Sequence, residues 1–200
     1  MFTSVLAYIM PDAYNRITLN GAYRRFVKEE LRMDFLELAK ARYSCRKFSD
    51  KPVEEDKIAK ILEAAKAAPT GKNLQPFKVW QVKSPEAKEA LKAATPCIWG
   101  ANTFFIVGAD KTKAWVRPFD NANFCHVDAA IVATHMMLEI QALGLATTWV
   151  GFMDAPKLQA AIPALKDYDL IAMFPVGYAA EDAAPSERHA VRSDDVLGVL

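Results

Sequence analysis

From Met33 onward the chain alternates between helical and extended hydrophobic patterns. "DFLELAKAR" places apolar residues at helical spacing. "PVEEDKIAKILEAAKAAP" reads as a strong helix, with Pro52 early, acids in the first turn, lysines later and Pro69 as its stop. "FKVWQV", Phe77 to Val82, alternates like a half-buried strand. "PEAKEALKAAT" is another helix, and "TFFIVGAD", Thr103 to Asp110, a buried strand. A short irregular stretch, "KTKAWVRPFDNANF", leads into a long apolar helix that ends at Gly144. "ATTWVGF" reads as extended, "APKLQAAI" as a short helix, "DYDLIAMFPVGYA" as a third strong strand and "EDAAPSERHAVRSDD" as a polar tail. There is no internal repeat. Helices of very different length separate the strands, which predicts an α+β fold with helices packed on a central sheet.

Residues 1 to about 32 mix aromatic and polar residues without sustained periodicity. "KEE", Lys28 to Glu30, can be encoded by a purine-rich string resembling a bacterial ribosome-binding site. Two readings follow: an upstream leader from a misassigned start codon, with the domain running over 33–200, or a genuine arm that packs on a partner.

Composition narrows the functional classes. Two hundred residues suit one domain with a sizeable core. With 24% charged and 52% hydrophobic residues and a net charge of +1, the chain is neither disordered nor a nucleic-acid coat. Any cationic site is therefore local, and nucleic acid is not an expected partner. Cys45, Cys97 and Cys125 are odd in number and lack Cys-x-x-Cys spacing, which argues against a disulfide framework or a structural zinc. "MFTSVLAYIM" lacks a basic n-region and a cleavage pattern. The most apolar stretch, "HVDAAIVATHMMLEIQALG", carries Asp128, His135 and Glu139, so it reads as a buried helix rather than a membrane span. The expected location is cytoplasmic.

Three segments combine unusual residues. In "ARYSCRKF", Arg42, Ser44 and Arg46 alternate in an extended run, so two guanidiniums and a hydroxyl can face one phosphate. The same cations also suit a solvated helix C-terminus. In "APTGKNLQPF", Asn73 and Gln75 each offer a donor and an acceptor suited to the edge of a heteroaromatic ring, and Lys72 adds a charge. A plain turn accounts for that loop as well. In "GLATTWVGF", Gly151 allows a ligand close to the backbone, while Trp149 also fits a core aromatic.

Together these segments resemble the nitroreductase family of flavin-dependent oxidoreductases, in order and spacing, from about Met33 to the C-terminus. "ARYSCRKF" is similar to the family's Arg-x-Ser-x-Arg/Lys motif, and "APTGKNLQPF" to its Pro-Ser/Thr-x-x-Asn-x-Gln-Pro loop. "ALGLATTWVGFMD" resembles its Leu-Gly-Leu-Gly-Thr-x-Trp-Ile-Gly stretch, and "FPVGYAAED" its final strand. The resemblance implies a mainly antiparallel central sheet flanked by helices. It also implies a homodimer with non-covalent FMN at the subunit interface.

Carried over by position, Arg42, Ser44 and Arg46 hold the phosphate and ring edge, with Tyr43 contributing mainly backbone. Pro69, Thr70 and Asn73 reach the isoalloxazine from the other subunit. Trp149, Val150 and Gly151 line one ring face, with the Gly151 N–H near flavin N5. Arg192 matches a C-terminal phosphate arginine, whereas Ala190 replaces the usual lysine and Arg188 stands nearby. The implied chemistry is ping-pong: NADH or NADPH gives a hydride to N5, and a nitroaromatic, quinone or related acceptor then takes the electrons. No side chain need act as acid, base or nucleophile. Arg42, Arg46 and Lys72 are the candidate cations near N1 and O2 of the ring.

The departures are Ala146, where glycine is frequent, and a short stretch between Asp110 and Cys125, which implies an open site or a lid made from other parts. Two other classes keep the fold: a flavin carrier or sensor without turnover, and an interaction protein whose motifs have lost their ligand. Cys125, His126 and Asp128 could be read as a nucleophile cluster, but sequence neighbours on a helix point in different directions, so core packing is preferred. His135 and His189 lack partners at ligand spacing, so no metal is expected. Met136 and Met137 read as core or dimer-interface residues. Cys45 alternates away from Ser44 and is expected to be a small core residue with no redox role.

Overall fold

The ends of the predicted helices follow their local chemistry in the computed structural model, which describes residues 34–185 and 196–198. The segment read as leader or arm, and Arg188, His189, Ala190 and Arg192 of the tail, lie outside the described residues. The chain divides into two units, Met1–Leu38 and Ala39–Leu200. Helix α1 (Phe35–Ala41) starts after Asp34, whose carboxylate accepts from the Leu36 N–H at 2.8 Å, and it has no buried residue. Helix α2 (Glu55–Ala67) starts beyond Pro52, behind an extended Glu54, and Ala68 leaves it in extended conformation ahead of Pro69.

Strand β1 (Phe77–Gln81) precedes α3 (Pro85–Ala94), which is capped by the Ser84 hydroxyl accepting from the Ala87 N–H at 3.1 Å. Strand β2 (Thr103–Ala109) is followed by α4 (Cys125–Ala142), beyond which Gly144 turns the chain at φ +69. Then come β3 (Ala146–Thr147), α5 (Ala155–Ala161) and β4 (Asp169–Gly177). Among the described residues no helix is long and apolar enough to cross a membrane.

The sheet has the order β1-β2-β4-β3, and every strand pair is antiparallel. Alternation along β2 sends Phe105, Val107 and Ala109 to a core with Ile58, Ile61 and Ala65 of α2 and Val132, Met136 and Ile140 of α4. Phe104 and Ile106 face the opposite side, against Leu91 of α3 and Leu158 of α5. β4 divides likewise, with Phe174 in the first core and Met173 in the second. Helices thus cover both faces of the sheet. That explains why "FFIVGA" and "LIAMF" read as continuous apolar runs, each large side chain contributing about 1.5–3 kcal/mol on burial. The β2–β4 register slips between Val107 and Gly108. A Cβ at Gly108 would stand 2.8 Å from the Trp80 ring, so the edge-on Trp80–Tyr168 pair, 4.8 Å between centroids, requires glycine there.

Candidate functional site

After α1 the chain runs extended through residues 42–46. The Cys45 N–H donates to the Thr147 carbonyl at 3.0 Å, and Ser44 makes a parallel bridge with Thr147. The first and third motifs are therefore neighbours. Cys45 is fully buried with Phe48 and Ala146, so it is a small core residue, and alternation turns Ser44 and Arg46 the other way. Arg42 and Ser44 are half-buried and Arg46 is exposed, its guanidinium 5.8 Å from the Trp99 ring centroid. Tyr43 packs beside Cys45, and burial, followed by the Cys45 thiol, raises its hydroxyl above the usual tyrosine range. Ala146 takes part in this cluster, so its methyl is accommodated where glycine is frequent in the motif.

In the third motif the buried Thr147 hydroxyl donates to the Pro175 carbonyl at 2.7 Å. Val150 exchanges backbone hydrogen bonds with Met173 at 3.0 and 2.9 Å, while its side chain, 3% exposed, packs in the second core. Only its backbone can face a ligand. Trp149 is half-buried, with its ring set edge-on to Phe174 at 5.5 Å. Gly151 is exposed, and a Cβ there would meet nothing within 4 Å. Ser44 adjoins Thr147 at the start of this run and Gly151 leaves its backbone open at the end, so charge, hydroxyl and unobstructed peptide lie along one segment, a donor set that fits the phosphate and ring edge of FMN.

The second motif forms a 3-10 turn at Gly71–Asn73. Pro69 is exposed and Thr70 half-buried; Lys72, Asn73 and Gln75 are exposed and left-handed, at φ +51, +55 and +52. Each such residue costs of order 1–3 kcal/mol and persists only where its surroundings fix it. Here the Thr70 hydroxyl accepts from the Gln75 N–H at 3.1 Å, and the Thr70 carbonyl from the Asn73 N–H at 2.9 Å. The Gly71 N–H donates at 2.9 Å to Oδ1 of Asp128, a residue only 2% exposed in the first turn of α4. The aperiodic stretch before α4 is a hairpin, with Val116 bridged to Asn123 and the Phe124 N–H on the Trp115 carbonyl at 3.0 Å. Its tip presents Phe119, 93% exposed. Gly71 and Asp128 escape a reading by motif; the available signal is a single carboxylate in the first turn of a largely apolar helix.

Tertiary structure also adds a third member to Cys125 and His126. Asp169, at the start of β4, pairs with the His126 Nε2, and the Lys111 ammonium sits 2.7 Å from the same carboxylate oxygen. The three donor groups lie within 4.8 Å of one another. Cys125 belongs to the first core, and burial, then the Asp169 charge, pushes its thiol above the usual range. The thiol is thus kept protonated, the opposite of what a nucleophile needs.

The sheet order places these motifs at opposite corners. The 70s loop enters β1 at Phe77, level with Ala109 and Asp169, whereas Thr147 pairs with Val176 beyond the other side of β4. Three strand steps and roughly 20 Å along β4, at ~3.3 Å per residue, separate Phe77 from Thr147. That exceeds the reach of one isoalloxazine ring.

The description of the nitroreductase family matches residues 39–97 and 92–178. A Methanothermobacter thermautotrophicus protein provisionally named NADH dehydrogenase/NAD(P)H nitroreductase is 30% identical over 123 residues, 60% of this chain and 62% of that relative. The match thus spans less than two thirds of that relative. The crystal structure of a nitroreductase family protein from Clostridium difficile superposes with a TM-score of 0.77 at 35% identity, covering 83% of this chain and 98% of that one. A Bacteroides fragilis nitroreductase with bound FMN shares the fold at a TM-score of 0.68 and 22% identity, over 84% of this chain and 100% of that one.

Proposed function

The chain belongs to the nitroreductase family, and on that premise we propose that it is an FMN-dependent oxidoreductase. It uses NADH or NADPH to reduce a nitroaromatic, quinone or related acceptor, and it works as a homodimer. The observation that carries this reading is the Ser44–Thr147 bridge, which joins the cations of residues 42–46 to the run that ends at the open backbone of Gly151. The bound FMN of the Bacteroides fragilis relative supports the choice of cofactor.

FMN held here would supply the redox chemistry, hydride uptake from a nicotinamide and electron delivery to an acceptor in a ping-pong cycle. This chain's residues bind and orient. Arg42, Ser44 and Arg46 hold the phosphate and the polar edge of the ring, with the Tyr43 backbone between them. Trp149, the Val150 backbone and Gly151 form the floor, and the lack of a side chain at Gly151 leaves its N–H accessible. Pro69, Thr70, Lys72 and Asn73 come from the second copy, because their own chain holds them at the far corner of the sheet. Arg42, Arg46 and Lys72 stabilise negative charge on the reduced ring. Arg192 joins the phosphate site in this reading.

The test is an anaerobic titration. The full chain, supplied with FMN, turns yellow, bleaches with NADH or NADPH and recovers its colour on addition of a nitroaromatic or quinone. Bound flavin that does not bleach leaves a carrier; a chain that takes up no FMN ends the reading.

A further inference from the structure

We propose that Asp128 is the positioning residue for the Thr70–Asn73 loop, fixing its left-handed path through the Gly71 N–H. The flavin consequence rests on the reading of that loop as a ring contact. Three consecutive observations lead to Asp128. Three non-glycine residues in one short loop, Lys72, Asn73 and Gln75, hold positive φ, and such strain survives only where the surroundings impose it. The groups that impose it are few. Thr70 ties the loop to itself, and Gly71 ties it to the body of the domain through Asp128 Oδ1 at 2.9 Å.

Asp128 is costly to keep. It is 2% exposed, and its Oδ2 is buried without a hydrogen-bond partner among the described residues. A buried carboxylate oxygen left unpaired demands an explanation, and a core-packing role would be met better by an apolar residue. The first turn of α4 offsets part of the cost, since the helix N-terminus favours an anion. The remaining desolvation cost is borne where the loop must be held.

The fit around Gly71 shows how tightly the anchor is drawn. A Cβ there would lie 3.3 Å from the Trp115 Cβ and 3.6 and 3.7 Å from the two Asp128 oxygens. Hairpin, loop and helix terminus therefore meet at one glycine, where an added side chain would crowd Trp115. Asp128 touches no reacting atom. It sets where the exposed Lys72 and Asn73 side chains are presented, and through them how a ring in the partner's site is gripped.

Amide hydrogen exchange on the full chain without flavin reads the anchor directly, and fluorescence titration with FMN reads its consequence. In Asp128→Ala, exchange at Gly71–Gln75 is expected to accelerate about tenfold to hundredfold, the range for losing a hydrogen bond to a charged group. FMN binding should weaken by a comparable factor, with the amides of β2 and β4 unchanged. Asp128→Asn keeps an acceptor for Gly71 and is expected to restore both readouts most of the way. Asp128→Leu, similar in shape but without an acceptor for the Gly71 N–H, should reproduce the local acceleration and stands in should Asp128→Ala fail to fold. Unchanged exchange in the loop, acceleration spread over the whole sheet, or an Asn variant no better than Ala would each overturn the proposal. If the parent takes up no FMN, the flavin reading falls alone, because the exchange result decides the anchoring without the cofactor.

Discussion

Val150 and Gly151 are chain neighbours with opposite duties. Val150 is locked to Met173 by two backbone hydrogen bonds and buried in the second core, whereas Gly151 faces open space. Their difference gives a residue-scale prediction that separates folding from binding. Gly151→Val should change unfolding stability by no more than about 0.5 kcal/mol, as for other exposed positions. It should nevertheless weaken FMN binding about tenfold or more, because the added methyls occupy the close approach. Thermal melts alongside FMN titration check this; a Gly151→Val variant that binds as tightly as the parent removes Gly151 from the ring face. Cys45 was legible at this scale, since strict alternation next to Ser44 turns it inward. The Val150 side chain was not, because an extended residue's inner or outer face depends on the strand that pairs with it.

Among the elements, the β2-to-hairpin corner rests on Asp110. Its Oδ1 accepts from the Thr112 N–H at 2.9 Å and the Thr112 hydroxyl at 2.6 Å, while Lys113 approaches Oδ2 at 2.9 Å. The Thr112 hydroxyl first, and Lys113 next, hold the carboxyl at about 2, below its ordinary 3.8. Because the folded value is the lower one, the charged form stabilises the fold above about pH 4, and that contribution fades as pH falls towards 2. Asp110→Asn should therefore melt a few degrees below the parent at neutral pH, with the gap closing between pH 4 and 2. A gap that persists unchanged at pH 2 would show that the corner does not depend on this charge. Most elements were readable from period and punctuation: Ser84-Pro85 opens a helix, and Gly144 closes one. The 115–124 hairpin was not, because its order comes from cross-strand hydrogen bonds, the Arg117–Asp120 pair and the Trp115–Phe124 ring contact, none of which leaves a periodic trace.

For the whole molecule, the opposite-corner placement of the motifs has a consequence that mixing experiments can read. If each flavin site draws residues 42–46 and 149–151 from one copy and the 70s loop from the other, Arg46→Ala and Asn73→Ala damage the same site from different subunits. Each homodimer should retain FMN poorly. A mixed dimer places both changes in one site and leaves the other intact, so the purified mixed dimer should recover about half of the parent's flavin content and activity, and an unsorted co-expressed population about a quarter. A mixed population no better than either variant alone would mean that each chain builds its own site. The Arg46→Ala homodimer retaining flavin fully would remove that guanidinium from the phosphate.

The sequence by itself determined what depends on near neighbours: helix and strand periods, caps, the α+β class, and the motifs by which the family resemblance was seen. Such features follow from side chains a few residues apart, whose spacing the backbone geometry fixes. Only the tertiary structure decided which motifs touch, with Ser44 beside Thr147 and the 70s loop at the far corner. It also placed Asp169 against His126 and the buried Asp128 under Gly71. Those contacts join residues far apart in the chain, and they exist because strand order and helix packing carry them together, which no local pattern records.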